Sequence, residues 1–232
     1  MNKEQFSNRL EELSTTLAGQ GERVAALFEQ SCEAVYALDA DAAELAIDAD
    51  DEIDRIDVAI EQTSVTILSD AMGGSPGLTP LHLRRILTMV KINNELERAA
   101  DACVSIAMQV SELEKTKQKI PSTFRMLTNS VAGILRDVVR CYVQRDPKLA
   151  KIVLDSEDTV VAFKSQLLRD AEQKIAAGTM EVDLAFCLHE LSNQCERIAD
   201  YATNIAEQVI YSVTGTIVRH TDAGWIELPK ES

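Results

Sequence analysis

The segment NNELERAADACVSIA, residues 93–107, decides the fold prediction, because it recurs as SNQCERIADYATNIA, residues 192–206. Aligning residues 92–107 with residues 191–206 gives identity at seven of sixteen positions. Both copies carry a glutamate and an aspartate one helical turn apart, Glu97 with Asp101 and Glu196 with Asp200. A repeat of this kind indicates that the chain contains the same structural unit twice.

The spacing of apolar residues predicts helices almost throughout. They recur at steps of three and four, which is the spacing of one helix face. The main breaks lie at residues 72–80, 119–122 and 176–183, and six long helices are predicted at residues 3–38, 41–71, 80–117, 122–145, 146–177 and 181–214. We therefore predict an all-α fold of two tandem, sequence-related three-helix bundles, residues 1–118 and 119–214, with a polar tail at residues 215–232.

Charge and composition limit the partners of the chain. Its 38 acidic and 23 basic residues give a formal charge of −15 at pH 7, which repels nucleic acid and anionic lipid and attracts cations or basic protein surfaces. The five cysteines form no CxxC pair, as is typical of free thiols in a reducing compartment. The sequence shows neither a signal peptide nor an apolar run of the roughly 20 residues that span a bilayer. We expect a cytoplasmic protein with no nucleic-acid partner and no integral membrane segment.

The two acidic pairs fall on largely apolar stripes of their predicted helices. Steps of three and four give one stripe in each helix: Leu83, Leu87, Val90, Asn94, Glu97, Asp101, Val104 and Met108 in the third, and Val182, Phe186, His189, Asn193, Glu196, Asp200 and Thr203 in the sixth. Such stripes form the inner face of bundle helices. We therefore predict that both pairs point into a bundle, where unpaired carboxylates must face a cation, a basic partner or solvent.

The second predicted helix supplies further carboxylates on one edge: Asp50, Asp54, Asp57 and Glu61. Clustered oxygen ligands from facing helices suit a divalent or trivalent metal ion, with zinc, iron, magnesium and manganese as candidates. Three alternatives stay open. The pairs could form a solvated acidic face, Arg98 and Arg197 could neutralise them as salt bridges, or a surface groove between the bundles could dock a basic partner.

The repeat extends upstream, but its register there is ambiguous. The segment DAAELAIDADDEID from Asp41 parallels DPKLAKIVLDSEDT from Asp146. In that register Asp50 matches Asp155 and Asp54 matches Thr159, whereas a slip of one residue pairs Asp54 with Asp158. The sequence alone leaves both registers open.

The segments ELERAAD and QCERIAD, each followed by a helix that ends in IA, resemble the repeated E(D)xxxD signature of the PhoU family. Two tandem bundles of this length, the segment DDEID and the tail segment GTIVRH agree with this resemblance. It implies a cytoplasmic bacterial regulator of inorganic phosphate uptake and phosphate-starvation signalling. Such a protein acts by contact with the ATPase of a phosphate ABC transporter and with a sensor histidine kinase, and is not an enzyme.

The resemblance also implies metal ligands by position. They are Asp50, Asp54, Glu97 and Asp101 in the first bundle, and Asp155, Glu196 and Asp200 in the second. Because Thr159 departs from the acidic pattern, we expect the second site to be the weaker one. We also expect a homodimer, and the roles of His220 and Trp225 in the tail stay open.

Two alternatives from other functional classes were weighed. A carboxylate-bridged di-iron oxidase, or a metal-storage bundle, would also place glutamates in a helical bundle, but the di-iron type requires Glu-x-x-His on two helices. None of the three histidines, His82, His189 and His220, lies three residues after a glutamate. The segment GGSPG, residues 73–77, matches the letters of GxSxG, but it lies in a predicted connector between two helices rather than between a strand and a helix, and the chain lacks a phosphate-loop motif. Both observations argue against a hydrolase. The sequence therefore favours action by binding rather than by catalysis.

Overall fold

The computed structural model describes residues 3–72, 78–116, 118–221 and 224–228. Its elements are α1 (Lys3–Ala37), α2 (Ala40–Met72), α3 (Pro80–Met108), α4 (Val110–Thr116), α5 (Ser122–Gln144), α6 (Pro147–Asp155), α7 (Glu157–Ala176), α8 (Val182–Thr214), β1 (Ile217–Thr221) and β2 (Gly224–Leu228). One residue, Gln109, separates α4 from α3, and Ser156 separates α7 from α6. The eight helical segments therefore form six long helices, as predicted.

The helices form two bundles that share one core. Helices α1, α2 and α3 pack together, as do α5, α6, α7 and α8, and the bundles meet where α3 packs on α8 and α1 on α5. Polar contacts cross the same boundary, since Asn204 Nδ2 donates to Glu95 Oε2 at 3.2 Å and the hydroxyls of Ser14 and Tyr142 are 2.9 Å apart. Buried apolar side chains of both bundles belong to a single cluster. In the described part of the chain, no helix has the length and apolar character needed to cross a membrane.

The predicted orientation of α3 and α8 is wrong. Leu87 is 60% exposed and Phe186 69% exposed, so the stripes that contain the acidic pairs lie on the outer side of the bundles. The buried face of α3 instead carries Ile86, Leu96 and Cys103. Both faces of α3 have apolar residues at helical spacing, and the spacing alone does not tell which face packs against neighbouring helices.

The two bundles begin their second helix with the same tight connection. Leu38 and Arg145, 107 residues apart, both have a φ of 52° and close the preceding helix in the left-handed conformation. The aspartate that follows each of them caps the next helix: Asp39 Oδ1 accepts from the Ala42 N–H, and Asp146 Oδ1 from the Lys148 and Leu149 N–H groups. Such a cap satisfies backbone donors that the first helical turn leaves free.

This connection sets the register of the repeat, and both predicted registers are wrong. An offset of 107 residues aligns the buried positions from Ala43 to Ser64: Ala43 with Ala150, Ala46 with Val153, Ile53 with Val160, Ile60 with Leu167 and Ser64 with Ala171. The equivalent of Asp50 is therefore Glu157, and Asp155 corresponds to the exposed Asp48. The sequence alignment started from Asp41, whereas the capping residue equivalent to Asp146 is Asp39.

The C-terminal segment differs from the predicted polar tail. Strands β1 and β2 form an antiparallel hairpin, and Val218 is buried. Arg219 forms an ion pair with the buried Glu207 of α8, which fastens the hairpin to the second bundle. The backbones of His220 and Trp225 pair in this hairpin, but their side chains lie outside the described part of the structure. Five-residue strands are too short to give a clear alternating pattern.

Two glycines in the helices test the packing of α1 on α5. A Cβ on Gly21 would lie 2.8 Å from Val139 Cγ2, whereas a Cβ on Gly133 would meet nothing within 4 Å. We expect Gly21→Ala to lower the free energy of unfolding by about 1 kcal/mol, because overpacking outweighs the gain in helix propensity. Gly133→Ala should raise it by about 0.5–1 kcal/mol. Urea denaturation of both variants measures these changes, and a stabilising Gly21→Ala would contradict the close approach of the helices.

Candidate cation site

A buried asparagine joins α2 to α3. The Asn93 Nδ2 group donates to the Asp57 backbone oxygen at 3.1 Å and to Asp57 Oδ1 at 2.6 Å. Asn93 is 1% exposed, so it has few alternatives to these bonds. They hold Asp57 beside the turn of α3 that carries Glu97.

Five carboxylates lie along the groove between α2 and α3. We call them the first-bundle acidic cluster: Asp50, Asp54 and Asp57 on α2, and Glu97 and Asp101 on α3. Burial raises the pKa of Asp50 to about 6, and the charges of Asp54 and Asp101 add to this shift. Burial also raises the pKa of Glu97, with smaller contributions from the other four carboxylates of the cluster. Their charges therefore oppose one another in a partly dehydrated groove.

The first-bundle acidic cluster lacks a basic partner in the described part of the structure. No lysine or arginine there forms an ion pair with any of the five carboxylates. Asp50 Oδ1 is buried and has no hydrogen-bond partner. Arg98 pairs instead with Glu95 at 3.4 Å and lies over the Tyr201 ring, while Arg197 bonds to Tyr201 and Gln194. The alternative in which these two arginines neutralise the acidic pairs is therefore wrong.

This cluster has the donor chemistry of a cation site. Carboxylate oxygens are the ligands that hard divalent and trivalent cations prefer. A cation would offset the repulsion that adds to the effect of burial on the pKa of Asp50. Among the described residues, however, no three His, Cys, Asp or Glu side chains already surround one point in metal-binding geometry. Binding would require the side chains to close on the ion.

The second bundle places a lysine beside its acidic pair, whereas the first bundle has an aspartate at that position. Burial raises the pKa of Asp200 to about 6, the carboxylates of Glu157 and Glu196 add to this shift, and the charge of Lys164 opposes it. The Lys164 Nζ atom lies 2.5 Å from Glu196 Oε2. The second bundle thus holds an internal cation at its acidic pair.

The corrected register explains which predicted residues come together. Asp50, Asp54, Glu97 and Asp101 form one cluster, and Glu196 and Asp200 lie together in the second bundle. Asp155 is exposed at the end of α6, and the carboxylate that faces Asp200 is Glu157. The exposed Asp158 and Thr159 take the positions of Asp51 and Glu52 in this register.

The sequence analysis missed Glu157 and Lys164. With the offset of 107 residues, Lys164 takes the position of Asp57, and Val161 that of Asp54. Aligning the two capping aspartates, Asp39 and Asp146, would have revealed both substitutions.

The raised pKa of Asp50 makes stability depend on pH. Since its folded-state pKa of about 6 exceeds the ordinary value of 3.8, the folded state binds the proton more tightly. The contribution of Asp50 to the free energy of unfolding should therefore increase as pH falls from about 7 to about 5. We expect Asp50→Asn to flatten this dependence in chelator-containing buffer, whereas Asp48→Asn on the exposed face should retain it. Equal pH profiles for the two variants would contradict the burial of Asp50.

Comparison with known proteins identifies the family. The family model described as "PhoU domain" matches residues 17–110 and 124–209, one match in each bundle. The PhoU homologue of Clostridium acetobutylicum, named a phosphate-specific transport system accessory protein, is 27% identical over 96% of this chain and 100% of its own length. Homologue 1 of Thermotoga maritima, which carries the same name, is 28% identical over 73% of this chain and 72% of its own length.

Two solved structures share the fold. The phosphate transport system regulatory protein PhoU from Streptococcus pneumoniae has a TM-score of 0.83 at 23% identity and covers 92% of this chain and 99% of its own. PhoU from Pseudomonas aeruginosa has a TM-score of 0.83 at 24% identity and covers 91% and 100%. The predicted fold class, the resemblance and the prediction that the chain is not an enzyme are confirmed. With a family match in each of its two bundles, the chain belongs to the PhoU family.

Proposed function

We propose that this chain regulates inorganic phosphate transport and phosphate-starvation signalling by contact with other proteins. The observation that carries the proposal is the doubled family match, which spans both bundles. Relatives named as accessory proteins of phosphate-specific transport, aligned over nearly the whole chain, support it. The partners we propose are the ATPase of a phosphate ABC transporter and a sensor histidine kinase.

The remaining parts of the proposal concern location and assembly. We propose that the chain acts in the cytoplasm, which the five buried free cysteines support, because unpaired thiols persist in reducing compartments. The homodimer expected from the sequence stays a prediction. Light scattering of the purified protein measures it directly.

We also propose that the first-bundle acidic cluster binds a divalent or trivalent cation. Candidate ligands are Asp50, Asp54, Glu97 and Asp101, with Asp57 beside them. The unpartnered Asp50 Oδ1 and the mutual repulsion of these carboxylates support this part of the proposal. Magnesium, manganese and iron suit all-oxygen ligands better than zinc, which favours nitrogen and sulfur.

The two bundles should differ in cation affinity. In the second bundle Lys164 already lies against Glu196, so that a metal ion would have to compete with its charge. Glu196 and Asp200 therefore form the weaker candidate site. Asp155, which the resemblance implied as a third ligand there, is exposed outside this group, and Glu157 takes its place beside Asp200.

The regulatory role predicts a deletion phenotype. Removing the gene should derepress phosphate-starvation genes, or release phosphate uptake from control, in phosphate-rich medium, and restoring the chain should reverse the effect. A starvation-promoter reporter and uptake of labelled phosphate measure both outcomes. Unchanged reporter expression and unchanged uptake in the deletion strain would contradict the proposed function.

The cation proposal predicts the effect of exchanging Asp57 and Lys164, which are equivalent positions. Wild-type protein should show one stronger class of Mn²⁺ sites by calorimetric titration. Asp57→Lys should abolish that class, because it places a positive charge in the cluster, whereas Lys164→Asp should strengthen binding to the second bundle by at least about tenfold.

Matched variants control for net charge. Asp48→Lys and Lys174→Asp make the same charge changes at exposed positions of α2 and α7, and neither should alter the binding classes. Two equivalent classes in the wild type, unchanged by Lys164→Asp, would contradict the assignment.

A further inference from the structure

Both bundles expose a pair of large apolar side chains at equivalent positions. On α3, Leu83 is 39% and Leu87 60% exposed, and on α8, Val182 is 52% and Phe186 69% exposed. The pairs are 99 residues apart, the same offset that aligns the acidic pairs. Single exposed apolar residues are ordinary. Here, however, the same exposed pair occurs in both copies, on the helix face that carries the acidic pair. This repetition indicates a surface feature of the repeated unit.

In the first bundle, α2 continues this apolar surface. Val65 is 63% and Met72 81% exposed. They share one helix face with Asp54 and Glu61, because successive residues of this set are seven, four and seven positions apart. Helices α2 and α3 are connected by a short segment and joined by the bonds between Asn93 and Asp57. Val65 lies eight residues after Asp57 on α2. Eight residues before Asn93 on α3 is the turn between Leu83 and Leu87. Because the two helices are connected by a short segment and pack together, these positions lie at the same end of the pair.

These positions define one surface, which we call the first-bundle groove. Its apolar end carries Val65, Met72, Leu83 and Leu87, and its acidic end carries Asp54, Glu61, Glu97 and Asp101. Glu61 of α2 and Val90 and Asn94 of α3 line one cavity, together with residues of α8 and β1. Helices α2 and α3 pack on each other between the two ends, as the bonds between Asn93 and Asp57 show.

The charge of the flanking helices distinguishes the two bundles. Helix α2 contains ten acidic residues and one basic residue. The equivalent helices α6 and α7 together contain five acidic and five basic residues. With α3 and α8 included, the helices of the first-bundle groove hold thirteen acidic and five basic residues, and the corresponding helices of the second bundle hold ten and six. The first-bundle groove is therefore the more negative of the two surfaces.

We propose that the first-bundle groove binds a basic amphipathic helix of a partner protein. Its apolar residues would pack on Leu83, Leu87 and Val65, and its lysines and arginines would face the acidic end, as in other helix-in-groove complexes. A second copy of this chain is a poor occupant, because each copy carries a formal charge of −15. An anionic membrane is disfavoured for the same reason. This inference rests on the proposed function only in that the chain acts through protein contacts.

A peptide titration tests the proposal. The probe is a fluorescein-labelled peptide of about 18 residues. Its leucines recur at steps of three and four, which places them on one helix face, and its lysines occupy the opposite face. A scrambled peptide of the same composition is the control for charge alone. We expect saturable binding of the amphipathic peptide, by fluorescence anisotropy in chelator-containing buffer, and at least tenfold weaker binding of the scrambled one.

Substitutions locate the binding surface without changing net charge. Leu83→Ser with Leu87→Ser should weaken peptide binding by at least about tenfold, since it removes the apolar contacts. Val182→Ser with Phe186→Ser, at the equivalent positions of the second bundle, should leave it within about twofold, as should Leu45→Ser at an exposed position elsewhere on α2. All three variants should melt within a few degrees of the wild type, because the substituted side chains are exposed.

Several outcomes would overturn the proposal. They are absence of peptide binding, equal binding of the scrambled peptide, and wild-type affinity in the Leu83 and Leu87 variant. Two further results would also overturn it. If the wild type forms a dimer that this variant abolishes, a second copy occupies the groove. If the wild type binds phosphatidylserine vesicles and the variant does not, a membrane occupies it. Peptide binding is measured on purified protein, so its failure is distinct from a failed deletion phenotype.

Discussion

The electrostatic repulsion among the carboxylates of α2 and α3 is the constraint around which the first bundle is organised. Packing of α2 on α3 buries Asp50 partly and brings four further carboxylates to the same groove. Charges held at these distances in a partly dehydrated groove destabilise the folded state unless a proton or another cation offsets them. Burial raises the pKa of Asp50 to about 6, and the neighbouring carboxylates add to this shift.

The second bundle repeats the turn, the cap and much of the buried pattern of the first, but it differs in charge and in the interruption of its second helix at Ser156. Both bundles use a left-handed residue and a capping aspartate to start the second helix, and the same pattern of buried residues follows. Lys164 then takes the position of Asp57 and lies against Glu196. A duplicated fold thus supports two surfaces of different charge, one without an internal cation and one that Lys164 partly neutralises. This difference separates the expected partners of the two bundles.

The sequence was sufficient for the number of helices, the two bundles, the family and the pairing of Glu97 with Asp101. It was insufficient for the orientation of α3, because both faces of this helix carry apolar residues at helical spacing. Leu83 and Leu87 lie on the face of Glu97, and Ile86 and Leu96 lie on the buried face. It also misplaced Asp155, because the residues after Asp41 resemble those after Asp146 by chance. The capping aspartates Asp39 and Asp146, together with the packing of Ile53, Ile60 and their equivalents, identify the correct register. The five-residue strands of the hairpin were too short to detect.

The central claim is that the first bundle binds a cation where the second bundle holds Lys164. Anomalous diffraction from crystals grown with Mn²⁺ tests it most directly. The account predicts an anomalous peak within coordination distance of Asp50 and Glu97 or Asp101, of higher occupancy than any peak near Glu196. A peak beside Glu196 and Asp200 with none in the first bundle would contradict it, as would the absence of a peak from both bundles at saturating Mn²⁺.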